Sequence, residues 1–207
     1  HNIFMSAIGH PFDWDYGSGG GGAIRGSDGN FGEVNEPVTS LIPYADKALI
    51  VGCVGATWAL VGDPAYGGSL VSLSRDIGIV GPKAYAHAPN NAVYVFGTGG
   101  LYRLSPNVYA ITKRNRISAG RLDKEFGDIN FATHRVELAW DSLNHGCWVF
   151  IAPVDRPGQA DETGSVTHYF YDEQTESFWP IEFPHDIGPT SVFTFEDDDP
   201  SDRALLI

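Results

Sequence analysis

Apolar and polar positions alternate in short runs along this chain, and two of those runs superpose without a gap. Residues 41–60 (LIPYADKALIVGCVGATWAL) lie over residues 85–104 (YAHAPNNAVYVFGTGGLYRL) at an offset of about 44 positions. Ala48 then meets Ala92, Ile50 meets Tyr94, Gly55 meets Gly99, Trp58 meets Tyr102 and Leu60 meets Leu104. Each unit reads as a strand, a polar turn, a strand rich in β-branched and aromatic residues, a glycine turn, and a strand ending in an aromatic and a leucine. One such unit cannot bury its own faces, so a repeat of this kind predicts stacked sheets. The layout is that of a propeller blade. The predicted fold class is therefore all-β, a β-propeller or an arc of a larger one, at about 44–55 residues per blade.

The pattern extends further along the chain. Residues 135–140 (RVELAW) and 147–152 (CWVFIA) predict two strands around the turn 141–146, and residues 167–171 and 177–181 predict two more. The polar insertion 155–164 separates these pairs, and residues 191–195 and 204–207 form a last pair around the acidic turn 196–202. At the other end residues 2–8 (NIFMSAI) read as a strand. Residues 18–32, with the run Gly19, Gly20, Gly21 and Gly22, read as a loop, as does the polar connector 105–130. The whole of 1–207 is thus expected to be one propeller domain or a fragment of one. An arc is preferred to a closed four-blade ring, with exposed strand edges that depend on missing blades or a partner chain. The absence of an initial methionine and the final strand pattern suggest a fragment of a longer chain.

Composition narrows the class. An apolar fraction of 43% belongs to a folded chain rather than a disordered one. With 26 acidic against 13 basic residues the net charge is −13, which argues against a broad nonspecific grip on nucleic acid. No apolar run approaches the roughly 18 residues of a membrane-spanning helix, so no membrane-spanning segment is expected. Cys53 and Cys147 each sit in an apolar strand pattern and are expected to be separate buried thiols.

Candidate chemistry is sparse. Asp13 and Asp15 flank Trp14; in an extended strand both carboxylates would face one side, as a solvated rim over a buried indole. A calcium site or a glycosidase carboxylate pair is the sharper alternative. The histidines His1, His10, His87, His134, His145, His168 and His185 show no metal-binding spacing, and no cofactor motif is present. Trp58, Tyr102, Trp148, Phe178 and Trp179 recur at strand positions and are expected to pack between adjacent blades. Basic residues concentrate in one place: Lys113, Arg114, Arg116, Arg121 and Lys124, with Arg103 just before them. They are the candidate contact to an acidic partner or a phosphate backbone, with a salt-bridged solvated loop as the alternative. Four successive glycines lose much conformational entropy on ordering, so 18–32 is expected to order only against a neighbour.

The blocks NIFMSAIGHPFDWDY, EPVTSLIPYADKALIVGCVGATWALVGD, SRDIGIVGP and GLYRL resemble β-propeller structural proteins of tailed-phage virions, of the tail-nozzle and DNA-stabilising head-completion types. The resemblance implies a non-enzymatic structural protein of the tail or head-tail connector, assembled in the host cytoplasm and located in the virion. It also implies other virion proteins as neighbours, a homo-oligomeric ring and DNA contact in a channel. It carries no catalytic residue, metal or cofactor. Two rival readings remain beside it, a carbohydrate- or receptor-binding propeller and a propeller glycoside hydrolase.

Overall fold

The computed structural model describes residues 4–7, 9–15, 23–25, 33–44, 48–62, 67–89, 91–105, 111–154, 167–183, 189, 191–195 and 204–206. Its order begins with a small antiparallel pair, β1 (Phe4–Met5) and β2 (Ile24–Arg25). A four-stranded antiparallel meander follows: β3 (Val38–Tyr44), β4 (Ala48–Cys53), β5 (Thr57–Val61) and β6 (Ser69–Ser74). The second sheet has three strands, β7 (Tyr85–His87), β8 (Val93–Gly97) and β9 (Gly100–Leu104). After the short helix α1 (Asp123–Gly127) comes a second four-stranded meander, β10 (His134–Asp141), β11 (Gly146–Pro153), β12 (His168–Asp172) and β13 (Ser177–Ile181). The pair β14 (Phe193–Phe195) and β15 (Ala204–Leu206) ends the series. The chain is all-β in class, and among the described residues no closed ring of sheets forms.

The internal repeat is carried into the hydrogen-bond register. Ile42 opposes Ile50, which opposes Ala59, in the first sheet; Ala86 opposes Tyr94, which opposes Arg103, in the second. On the other face Leu41, Val51 and Trp58 match Tyr85, Val95 and Tyr102. The correspondence reaches the fourth-strand position. Trp58 pairs with Ser72 of β6, and Tyr102 makes an isolated bridge to Arg116, so the basic connector takes up the place that β6 occupies in the first sheet.

Side-chain alternation shows how the sheets lie. Ile42, Ile50 and Ala59 of the first sheet belong to one continuous core, with Tyr94 and Phe96 from one face of the second sheet and Val93, Val95 and Tyr102 from its other face. Trp140, Cys147, Val149, Tyr169 and Tyr171 of the third sheet join the same core. Successive strand residues face opposite ways, so the second sheet is buried on both faces and lies between the other two. That matches the unbroken burial of β8 and its unbroken apolar run. Each outer sheet keeps a second apolar face with a separate small cluster. Val51, Cys53, Trp58 and Leu70 gather under Val34 on the first sheet, and Ala139, Trp148 and Phe150 under Val192, Phe183 and Leu205 on the third. Cys53 and Cys147 are buried, unpaired thiols.

Segments between the strands differ from the sequence expectations in three places. Within 2–8 only Phe4–Met5 is a described strand, and beyond it the backbone turns, with His10 N donating to Ala7 O at 3.0 Å and Asp13 N to His10 O at 3.0 Å. The stretch 18–32 lies largely outside the described residues, but Ile24–Arg25 within it is the strand that pairs with Phe4–Met5. The connector 105–130 is not merely a solvated loop, because α1 within it buries Phe126 to 1% exposure.

Candidate interaction surfaces

The basic connector is drawn into the molecule at two of its five candidate positions. Arg116 donates through Nη1 to Gly99 O at 3.0 Å and pairs through Nη2 with Asp123 Oδ1 at 2.8 Å. Asp123 Oδ2 also accepts from Gly120 N at 3.0 Å, which fixes the entry to α1. Arg121 donates to the carbonyl of Glu176 in the β12–β13 turn. Arg114 and Lys124 are exposed, and Lys113 lies in a 3-10 turn, Lys113–Asn115. Replacing Arg114 and Arg116 together is therefore not a neutral probe of the surface. Arg116→Glu would face Asp123 with a like charge, whereas Arg114 and Lys124 can be changed without breaking a contact of that kind.

Arg103 belongs to the same fastening system. Its Nη2 pairs with Glu173 Oε1 at 2.6 Å, and Tyr94 Oη donates to the same oxygen at 2.9 Å. Burial and the Glu173 hydrogen bond push the Tyr94 phenol well above its ordinary range. Tyr94 also stacks on Trp140 with ring centroids 5.4 Å apart, so an aromatic pair and an ion pair join the second and third sheets at one point. A second acid, this one buried, ties the third sheet to the residues that lead into β14. Glu137, 6% exposed, accepts from Ser191 Oγ at 2.9 Å and Val192 N at 3.1 Å, and faces Lys83 Nζ at 3.8 Å. Sequence reading singled out neither Glu137 nor Glu173, because the partners that tie them to other elements, Ser191 and Val192 for one and Tyr94 and Arg103 for the other, are far away along the chain.

The acid pair of the sequence is not built as a site. Asp13, Trp14 and Asp15 are all exposed, and Asp15 N donates to Asp13 Oδ1 at 3.0 Å as a local turn contact. Trp14 is 50% exposed rather than buried, because the turns at 7–13 replace the extended strand that would have sent it inward. The run 196–199 lies outside the described residues, as do His1 and His185. His87 ends β7 and His134 begins β10, so they fall at different strand ends, and His10 and His145 are exposed. Among the described residues no group of three or more His, Cys, Asp or Glu could hold a metal ion.

Among the described histidines only His168 is buried. It is 5% exposed between Phe150 and Phe183, and its Nδ1 accepts from Ile151 N at 3.1 Å, so the neutral ring carries its proton on Nε2. Burial pushes its pKa down from 6.5 to about 4. Between those values the unfolded chain binds the proton and the folded one does not, so stability is lost as pH falls through that window. Urea unfolding should show a loss of about 2 kcal/mol between pH 7 and pH 5. His168→Gln, which keeps an acceptor for Ile151 N, should flatten that slope, and an unchanged slope would remove His168 as its source.

The aromatic residues divide into three environments. Tyr102 and Phe178 pack with the continuous core as expected. Trp58 and Trp148 are half-buried in the two outer-face clusters. Trp179 is 56% exposed, next to Phe170 across the β12–β13 ladder, and Phe170 is next to Trp148. Trp148, Phe170 and Trp179 thus form a row on the outer face of the third sheet, with the Trp148 and Phe170 ring centroids 5.0 Å apart.

No family model matches the chain, and no curated protein matches it. Among solved structures it is similar to the extracellular domain of a B. thetaiotaomicron protein described as a one-component system, at 13% identity and a TM-score of 0.42. That match covers 83% of this chain and 24% of the other. A second solved structure of that same protein's extracellular domain, there described as part of a hybrid two-component system, matches at 13% identity and a TM-score of 0.36, over 88% of this chain and 31% of that one. The chain thus spans about a quarter to a third of the length of these two solved chains.

Proposed function

We propose that this chain is a non-enzymatic structural component of a tailed-phage virion, a tail or head-tail connector protein whose sheets are consecutive blades of a propeller-like arc and which works as an assembly scaffold. The observation that carries this reading is where the charged groups go. Arg103 with Glu173, Arg121 with the Glu176 carbonyl and Glu137 with Ser191 each fasten one sheet to the next element, rather than converging on an open cavity. Such fastening is what a part that works by shape requires. Its neighbours are other virion proteins, and it is assembled in the host cytoplasm.

Mass spectrometry of gradient-purified particles should find the chain at a fixed ratio to the major virion proteins. Arg114→Glu with Lys124→Glu should leave the free energy of unfolding, read from urea titration, within about 0.5 kcal/mol of the parent's, since exposed charges contribute little to folding. The same change should reduce incorporation most strongly at low salt, where screening is weakest. Absence of the chain from purified particles would sink the virion reading, and unchanged incorporation of the double variant would remove the basic connector as a contact.

One observation favours the carbohydrate-binding reading: Trp14 is exposed with Asp13 and Asp15 on either side, the pairing of an apolar ring with acceptors that sugars use. Trp14→Ala should then abolish glycan-dependent fluorescence quenching. Turnover of a glycan lost in Asp13→Asn or Asp15→Asn would instead favour the hydrolase.

A further inference from the structure

A cavity of about 520 Å³ opens where the first sheet hands over to the second. Three pieces of the chain wall it: Asp76 and Ile77 just after β6, Gly99 and Tyr102 of the β8–β9 hairpin, and Ile111 and Arg116 of the connector. Each wall is fixed by hydrogen bonds to the backbone. Thr57 Oγ1 donates to Ile77 O at 2.7 Å, Ile111 N to Leu73 O at 2.8 Å, and Arg116 Nη1 to Gly99 O at 3.0 Å. The cavity is thus held open from both sheets, and its volume is that of a small-molecule site.

Its polar groups are left without partners of their own. Tyr102 is 3% exposed, yet its hydroxyl makes no hydrogen bond within the chain. The hydroxyl and Arg116 Nη1 converge on the space beside Gly99, where a β-carbon would stand 2.6 Å from the one and 3.3 Å from the other. Glycine alone leaves that space empty. Burial pushes the Tyr102 phenol up against the opposing pull of Arg116, so the hydroxyl keeps its proton and can donate it. Arg116 commits one N–H to Gly99 O and one to Asp123 Oδ1, and the rest of its five stay available. On the first-sheet wall the Asp76 carboxylate has no cationic partner. Ile77 and Ile111, 7% and 3% exposed, supply the apolar lining.

We propose that this cavity binds a free apolar α-amino acid, its carboxylate on Tyr102 Oη and Arg116, its ammonium on Asp76 and its side chain against Ile77 and Ile111. Charge decides the class of ligand. A simple anion would meet Asp76 uncompensated, beside an Arg116 whose charge Asp123 already shares, on a chain of net charge −13. A simple cation would meet Arg116. A zwitterion pairs with both, and in a site partly withdrawn from water each pairing counts for more than it would at an open surface.

The site stands apart from the scaffold reading, and absence of the chain from particles would leave it untouched. Isothermal titration of the full chain with L-valine, L-leucine and L-phenylalanine tests it. Saturable one-to-one binding is expected for at least one of the three. The N-acetyl and the carboxamide forms of that amino acid each lack one of the two charges and should bind about tenfold or more weakly. Tyr102→Phe keeps the ring and removes only the unpartnered hydroxyl, while Asp76→Asn keeps the bond from the residue 76 backbone N to Ser74 Oγ. Both variants should unfold at the parent's temperature and lose about tenfold in affinity. No binding of any of the three at millimolar concentration would overturn the site. So would a blocked form that binds as tightly as the free amino acid, or undiminished affinity in either variant.

Discussion

Phe126→Ala is expected to lower the free energy of unfolding by about 3–5 kcal/mol, the cost of deleting a fully buried aromatic ring. Phe126 sits edge-on to Phe96 at 5.0 Å and Tyr169 at 5.2 Å between centroids, with Phe178 at 6.1 Å, and so fills the space between the second and third sheets. α1 has only five residues, far below the length at which a helix holds by itself in water. It is therefore anchored by this ring rather than by its own hydrogen bonds. The conformation of Gly100 belongs to the same packing. Its φ is +124°, and a β-carbon there would run into Ser118 Oγ and the Phe126 ring. Losing the ring also loosens Asp123 from Arg116 and with it the bridge from Arg116 to Tyr102. Urea unfolding followed by tryptophan fluorescence reads the loss directly. Lys124→Ala, on the same turn and exposed, should stay within about 0.5 kcal/mol. A cost below about 1 kcal/mol for Phe126→Ala would mean that the connector is not packed against the sheets.

Strand positions were legible in the sequence wherever apolar residues alternate between turns. The segments read at 135–140, 147–152 and 177–181 fall in β10, β11 and β13, and the ungapped 44-residue offset extends to individual cross-strand pairs such as Ile50 with Ala59 and Tyr94 with Arg103. Local periodicity carries that information. The connector did not yield, because its helix has one turn and its polar residues dominate any window average. Leu122 and Phe126, four apart, are the apolar pair that marks its helix. Trp14 was misread because alternation over three residues fits a strand and a chain of turns equally well. Between a partner contact and a salt-bridged loop the sequence could not choose for Arg116 and Arg121, because their partners, Asp123 apart, are backbone carbonyls at Gly99 and Glu176, which sequence does not mark. Glu137 and Glu173 were invisible for a related reason: each is defined by contacts more than 50 residues away in the chain, Ser191 for one and Tyr94 for the other.

The link between the first and second sheets depends on close backbone approach, which makes Gly78→Ala the second large effect. Residues 77–80 are fastened on both sides. Thr57 Oγ1 donates to Ile77 O at 2.7 Å and Ile79 N to Cys53 O at 3.0 Å on the first sheet, while Thr98 N donates to Gly78 O at 3.3 Å and Val80 N to Phe96 O at 3.1 Å on the second. A β-carbon on Gly78 would collide with the backbone carbonyl oxygens of Val54 and Cys53. Those atoms cannot swing aside as a side-chain end could, so the backbone must shift and the four bonds stretch with it. The expected cost is about 3 kcal/mol, the upper end of ordinary overpacking. In a domain of this size that lowers Tm by roughly 6–12 °C. Gly81→Ala, three residues on, has nothing within 4 Å of the new carbon and should change stability by less than about 1 kcal/mol. Calorimetry of the two variants beside the parent chain separates the explanations. Equal losses at both positions would mean that glycine matters here for chain flexibility, and a loss at Gly78 alone, with retained solubility, would place it in the contact between sheets.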